Sequence, residues 1–434
     1  MNQHASRVID RLSTERWTAG IIGLGYVGLP LAVAAAGRDI EVIGYDVNED
    51  RVDALAAGVS HVDDVSGDAL AAALAQGFTP TDNEVSLARC DVLFICVPSP
   101  LGVNRQPDLS FIEAAARTVT RVAKAGVVVS LESTSYPGTT DDLIVPAVEQ
   151  AGLKIDQDAF VAFSPERVNP GGPLGPTAIP KVVGGVSAAS GEVTAAAYRR
   201  IFTEVHVVST ARAAEMTKLL ENTYRAVNIA LVNEMAQLSH QLDIDLWEVI
   251  DAAATKPFGF QPFYPGPGVG GHCIPLDPQF LAWRARQAKF ATRFIDTAEQ
   301  INTAMPGYVA ERIADLLNAR GLPVFGSRIL GVGIAYKPNV ADDRESASIE
   351  VLKQLQRRGA EIAVVDPVVG AERIEHWGFE AAEIDAAAEC AVAVVLTDHD
   401  GLDLGTLADV APLVFDTRGA YRTRQIDRDN VIAL

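Results

Sequence analysis

The chain has 434 residues, 48% of them hydrophobic and 21% charged, and its 36 basic against 56 acidic side chains leave a formal net charge of −20. That length favours two or three domains with ordinary cores. The acidic surplus argues against nucleic-acid backbones and anionic membranes as partners, so any anionic ligand needs cations placed locally. Cys90, Cys96, Cys273 and Cys390 form no CxxC pair, which gives no zinc or dithiol motif and suggests a reduced, cytoplasmic protein. The first twenty residues carry no apolar signal core. Residues 19–37 are uncharged, but their glycines and Pro30 break any membrane span.

The predicted elements begin with a βαβ unit over residues 20–46: a short apolar strand, Gly23-x-Gly25-x-x-Gly28, an alanine-rich helix, and the strand EVIGYD. DVLFICVP (91–98), a helix near 110–125, GVVVSLEST (126–134) and VAFSPE (161–166) continue the alternation. Strands alternating with helices imply a mainly parallel sheet covered on both faces. A Gly/Pro-rich loop occupies 169–180, and residues 213–240 then hold no glycine or proline. That stretch predicts a helix of about 28 residues, roughly 42 Å long, a spine between domains or a subunit interface. Residues 257–278 are dense in Gly and Pro, and Pro306-Gly307 reads as a boundary. Beyond it SRILGVGIAYK (327–337), a helix near 346–358 stopped by Gly359, EIAVVDP, AVAVVLTD and PLVFDTR restore the α/β texture. The expected fold is α/β, two Rossmann-like doubly wound domains (1–205 and 306–434) joined by a central helical domain (206–305) with a long spine helix.

The glycine motif alone is weak evidence. Placed between a strand and a helix, with Asp46 ending the next strand, it is strong. Glycines admit a pyrophosphate to the backbone, the helix N-terminus supplies N–H donors, and a carboxylate at Asp46 would bind ribose hydroxyls and repel a 2′-phosphate. NAD is therefore expected over NADP. Arg51 either covers the adenosine side or starts a solvated helix.

Glu215, Lys218, Asn222 and Arg225 share one helix face by spacing, as a solvated stripe or as a site. A lysine and an amide one turn apart can hold an oxygen that gains charge. Thr134 and Glu166 end strands at the carboxyl edge of the sheet, where Rossmann ligands bind, or serve as ordinary caps. Asp277 either caps a helix or orients a water or Lys218. Cys273 sits in GVGGHCIPLDP, a stiff loop, beside His272. Adjacent residues in extended chain point apart, which disfavours a direct Cys–His pair, and no spaced partners suggest a metal. The other three cysteines read as core filler.

GLGYVGLP, LESTSYPGTT, SPERVNPG, AEMTKLLENTYRAVNIALVNE, PGPGVGGHCIPLDP, LGVGIAYKPNVADDRES and FDTRG occur in that order over about residues 20–420. Together they resemble the UDP-glucose/GDP-mannose dehydrogenase family. The resemblance implies a four-electron oxidation of a nucleotide-sugar C6 alcohol to a carboxylate with two NAD reduced, by a homodimer or higher homo-oligomer. It matches Cys273 to the nucleophile, Lys218 and Asn222 to oxyanion stabilisers, Asp277 to the carboxylate beside the lysine, Thr134 to a residue holding a water, and Glu166 to the acid/base of thioester hydrolysis. It implies cofactor contacts from Gly23, Gly25, Tyr26, Val27, Gly28, Asp46, Arg51, Pro98, Thr134 and Arg344. On the UDP-sugar side it implies Glu166, Lys218, Asn222, Arg225, Tyr264, Gly270, Lys337 and Arg418, and it implies no metal. CIPLD stands where UDP-glucose dehydrogenases often have a CxxKD pattern, the run ENTYRAVNIALVNE with Arg225 and Asn228 resembles the acetamido-sugar branch, and STSYPGTT and HCIPLDP resemble the UDP-N-acetylglucosamine enzymes within it. The competing expectations are a UDP-N-acetylmannosamine or UDP-glucose substrate and, more distantly, a two-electron β-hydroxyacid dehydrogenase, which needs neither the cysteine nor residues 327–420.

Overall fold

The computed structural model describes residues 3–102, 105–168, 172, 175–271 and 274–434. His272, Cys273 and part of the 169–180 loop lie outside the described residues. The chain divides into two compact units, residues 1–221 with 279–290, and residues 222–278 with 291–434.

The first unit is built on an eight-stranded sheet of β1 (Thr18–Ile22), β2 (Glu41–Tyr45), β3 (Phe78–Thr81), β4 (Val92–Ile95), β5 (Val127–Leu131), β6 (Ala159–Phe163), β7 (Lys181–Gly185) and β8 (Val205–Val208). Its order is β3-β2-β1-β4-β5-β6-β7-β8. The first six strands are parallel, with Ile95 opposite Leu131 and Leu131 opposite Phe163, and β7 then joins β6 antiparallel. Alternate side chains enter different cores: Ala19, Ile21, Val92 and Phe94 belong to one apolar cluster, and Ile22, Leu93 and Ile95 to another. A period of two thus buries both faces, which is why these strands read as continuous apolar runs.

The second unit repeats the plan with β9 (Arg328–Val332), β10 (Glu361–Val365), β11 (Glu380–Ala381), β12 (Val392–Val395), β13 (Val414–Asp416) and β14 (Val431–Ala433), all parallel in the order β11-β10-β9-β12-β13-β14. The same 3-2-1-4-5-6 winding therefore appears twice, as the sequence suggested. The long helix is Ala211–Gln241, 31 residues.

The boundary read at Pro306-Gly307 is not a break in the helix. Pro306 does not end a helix but lies inside the helix Arg293–Ala319. A proline there forfeits one backbone hydrogen bond and crowds the preceding turn. Met305, Pro306, Val309 and Ala310 are all buried, and tertiary packing of this face outweighs the local preference.

The remaining cysteines behave as expected. Cys90, Cys96 and Cys390 are buried in apolar clusters. Burial pushes the Cys90 thiol up to about 12. No helix among the described residues is long and apolar enough to cross a membrane.

Candidate active site

The glycine turn links β1 to the helix Gly28–Ala36. A Cβ at Gly28 would fall 1.8 Å from the carbonyl oxygen of Gly23, so this position admits only hydrogen. Gly25 is different: a Cβ there meets nothing within 4 Å, so the turn is open on the side from which a ligand would approach. Tyr26 is 52% exposed and Val27 half-buried beside it. Asp46 follows β2 and is 5% exposed. One of its oxygens accepts the Leu24 N–H and a guanidinium N–H of Arg51, both at 2.9 Å, and the other accepts the Asn48 N–H at 3.0 Å. The carboxylate is thereby aimed at the glycine turn, and Arg51 covers it. Open space over Gly25, a helix N-terminus and a fixed carboxylate fit a dinucleotide.

Pro98, Thr134 and Glu166 each stand three residues beyond the ends of β4, β5 and β6, which are adjacent and parallel. One sheet edge therefore collects three sequence-predicted residues. Lys218, 8% exposed on the long helix, reaches this edge and donates to the Thr134 hydroxyl at 2.6 Å. One oxygen of Glu166 accepts the N–H groups of Arg167 and Val168, both at 2.7 Å, and the other lies 3.3 Å from the Lys181 ammonium. Burial pushes the Glu166 carboxyl up, but Lys181, these two N–H groups and Lys218 more than offset it and hold the group below the usual range. Glu215, on the same helix as Lys218, accepts from the Gly138 and Thr140 N–H groups and the Thr140 hydroxyl, fastening the SYPGTT loop.

Within the second unit, Asn222 donates to Asp277 at 2.6 Å. Asp277 is 2% exposed and is the first residue of the helix Asp277–Gln287. Arg225 is exposed. The glycine loop before Cys273 is closely fitted. A Cβ at Gly270 would stand 2.7 Å from the Glu345 carbonyl, and Gly271, at φ +83°, would put one 2.7 Å from the Tyr336 ring. A Cβ at Gly266 would meet the Arg418 guanidinium at 2.7 Å. The structure thus brings Arg418 and Tyr336, the neighbour of Lys337, to the loop that precedes the predicted nucleophile. Arg418 also donates to the Leu396 carbonyl at 2.6 Å, and burial, opposed by Asp416 and Asp398, lowers its guanidinium to about 10. Arg344 pairs with Asp342 at 2.7 Å. Tyr264 stacks on Trp247 and donates to Asp251 at 2.9 Å.

Sequence reasoning missed Glu132, Lys181 and Tyr198. Lys181 bonds Glu132 at 2.7 Å, and the Tyr198 hydroxyl donates to Glu132 at 2.6 Å. The one available signal was a charged residue, Lys181, opening an otherwise apolar strand, VVGG. Asn233 was also missed. Its side chain accepts the Gly266 N–H at 3.1 Å and donates to Asn302 at 3.0 Å, tying the glycine loop to two helices.

Two sheets wound alike, with a dinucleotide turn on the first and the Arg418 guanidinium against the glycine loop of the second unit, fit a nucleotide-linked dehydrogenase built from two Rossmann-like domains. The chain belongs to the UDP-glucose/GDP-mannose dehydrogenase family. That family's NAD-binding domain matches residues 18–203, its central domain 212–304 and its UDP-binding domain 330–423. It is 35% identical over 411 residues to a UDP-N-acetyl-D-glucosamine 6-dehydrogenase of Pseudomonas aeruginosa, covering 94% of this chain and 93% of that one. It is 36% identical over 425 residues to an NDP-N-acetyl-D-galactosaminuronic acid dehydrogenase of Ralstonia nicotianae, covering 94% and 97%. A solved UDP-D-ManNAc dehydrogenase from Pyrococcus horikoshii superposes with a TM-score of 0.84 at 30% identity, covering 96% and 97%. The protein is an NAD-dependent nucleotide-sugar dehydrogenase, an oxidoreductase.

Proposed function

We propose that the protein oxidises C6 of UDP-N-acetylglucosamine to the carboxylate through a cysteine thioester. The observation that carries the chemistry is the sheet edge on which Lys218, Thr134 and an ionised Glu166 stand together. NAD, when bound, accepts a hydride at each of two oxidations. Asp46 and the turn over Gly25 hold its adenosine and pyrophosphate, with Tyr26, Val27, Arg51, Pro98 and Arg344 as further contacts. Lys218 and Asn222 stabilise the C6 oxygen as it gains negative charge, a contribution worth on the order of 3–4 kcal/mol per donor in such sites. Thr134, bonded directly to Lys218, offers its hydroxyl to hold the attacking water beside the pair. Asp277 orients the Asn222 amide. The Cys273 thiolate adds to the C6 aldehyde, since an aldehyde has no hydride to give until a nucleophile has added. The resulting thiohemiacetal loses the second hydride to become a thioester. Glu166 takes a proton from water as it attacks, and the thiol and the carboxylate separate. Lys337 and Arg418 neutralise the UDP phosphates within the acidic protein, and Arg225, Tyr264 and Gly270 line the sugar-nucleotide side.

The acetamido sugar is supported by the CIPLD loop and by the name of the Pseudomonas relative. We further propose three domains, 1–205, 206–305 and 306–434, working in the cytoplasm toward a surface polysaccharide, and a homodimer. Met216, Leu220, Tyr224, Leu231 and Leu238 are exposed on the long helix, and at 100° per residue they fall within about 80° of arc. Such an apolar seam is what a second copy would cover. Comparing NADH yield on UDP-GlcNAc, UDP-ManNAc and UDP-glucose tests the substrate: equal or higher turnover of either alternative overturns the acetamido-glucose reading.

A further inference from the structure

Behind Glu166 lies a group of charges that the reaction just described does not use. Lys181 opens β7, with its side chain 3% exposed, and its ammonium stands between Glu132, 2.7 Å away and 0% exposed, and Glu166, 3.3 Å away and 18% exposed. The ring centroids of Tyr198 and Phe202 lie 5.4 and 5.1 Å from the same ammonium. Tyr198 donates to the second oxygen of Glu132 and shares a hydrogen bond of 2.9 Å with Ser130. One ammonium thus serves two carboxylates in a place where an unpaired charge is costly. A structural salt bridge needs only one carboxylate. The second, Glu166, keeps part of its surface open at the sheet edge.

We propose that Lys181 is a positioning residue for Glu166: by bridging it to Glu132 it keeps the carboxylate ionised and fixed in one orientation for the attack of water on the thioester. This rests on the reading of Glu166 as the hydrolytic base. Two backbone N–H groups occupy one oxygen of Glu166, and Lys181 restrains the other from the rear. Every group that faces the pair has a defined state. Lys181 is pushed down by burial but raised overall by Glu132 and Glu166, so it stays an ammonium. Burial raises Glu132 above its usual range despite Lys181. Tyr198 and Cys96 are pushed well up, by burial first and by Glu132 next, and stay neutral. Lys218 adds positive charge from the long helix, and the Arg167 guanidinium is engaged by Glu221 at 2.7 Å and by the Pro180 carbonyl at 2.7 Å. Glu132 therefore competes with Glu166 for Lys181, and this gives two shifts of opposite sign.

The test is single-turnover decay of the enzyme-bound thioester in the full-length protein, followed by quenched intact mass spectrometry across pH 3–8. In Lys181→Met/Glu132→Gln, which removes the two most deeply buried charges together and leaves Glu166 without its rear cation, the acid limb of decay moves up by about one pH unit or more. Decay at pH values below the wild-type limb slows roughly tenfold, while the NADH formed before the thioester is unchanged. In Glu132→Gln, which retains an acceptor for Tyr198, the acid limb moves down. A merely structural role would lower NADH formation and thioester decay together and leave the limb in place. Glu166→Gln must accumulate thioester at every pH; if it does not, the reading of Glu166 fails. If it does, and both the double variant and Glu132→Gln keep the wild-type limb, the inference about Lys181 is overturned.

Discussion

Gly28→Ala and Gly25→Ala separate the two duties of the dinucleotide turn. The added methyl at Gly28 would stand 1.8 Å from the Gly23 carbonyl oxygen and 3.1 Å from the Ile21 side chain. Ordinary contact requires a retreat of more than an ångström. Gly23 cannot give way cheaply, because its N–H donates to the Tyr45 carbonyl at 2.8 Å, a bond that holds the turn to β2. Forcing such an overlap costs about 1–3 kcal/mol, which for a unit of this size lowers the melting temperature by roughly 2–12 °C. At Gly25 the methyl meets nothing within 4 Å, so stability should change by less than about 0.5 kcal/mol. The same methyl fills the space a pyrophosphate needs, so NAD affinity should fall tenfold or more, about 1.4 kcal/mol. Differential scanning fluorimetry with and without NAD, plus calorimetric titration, reads both quantities. Equal destabilisation by the two variants, or wild-type NAD affinity in Gly25→Ala, would refute the reasoning.

The other predictions concern charge and assembly. Lys218→Met should lower kcat by 10²–10³ with little change in NAD affinity, and Asn222→Leu should do the same while releasing Asp277; steady-state kinetics with both substrates checks this. Asp366 accepts the N–H groups of Ile334, Ala335, Val368 and Val369, and His399 lies 3.3 Å away. Burial pushes its carboxyl up, but His399 and these donors hold it below the usual value. Its stabilising contribution is therefore present at neutral pH and lost as pH falls from about 4 through the folded value. Asp366→Asn should cost about 1–3 kcal/mol at pH 7, a penalty that shrinks below pH 4 in denaturant unfolding. Leu231→Glu with Leu238→Glu should yield a monomer in analytical ultracentrifugation.

Much of the fold is legible in the sequence because its signals are local. The βαβ unit, Asp46 at the end of its second strand, the glycine-free long helix and the second α/β half depend on periodicity and on breakers within a few residues. Thr134, Glu166 and Lys218 were readable as candidate site residues because strand ends and helix spacing place them. Their partners were not. Glu132 and Lys181 are 49 residues apart, and they meet only because β7 turns back antiparallel onto β6, a pairing that no local pattern announces. Pro306 misled for the same reason: its local cost is real, and the burial that offsets it comes from distant segments. Asn233 looks like one more polar position on a helix until the glycine loop folds onto it.

The most direct test of the central claim is the stoichiometry of the reaction with Cys273 present and removed. Purified protein is given NAD and limiting UDP-GlcNAc, NADH is counted, and the product is weighed. Two NADH per sugar and a carboxylate product, with neither formed by Cys273→Ala, is the predicted result. One NADH per sugar, or a carboxylate still made at the wild-type rate by Cys273→Ala, would contradict it.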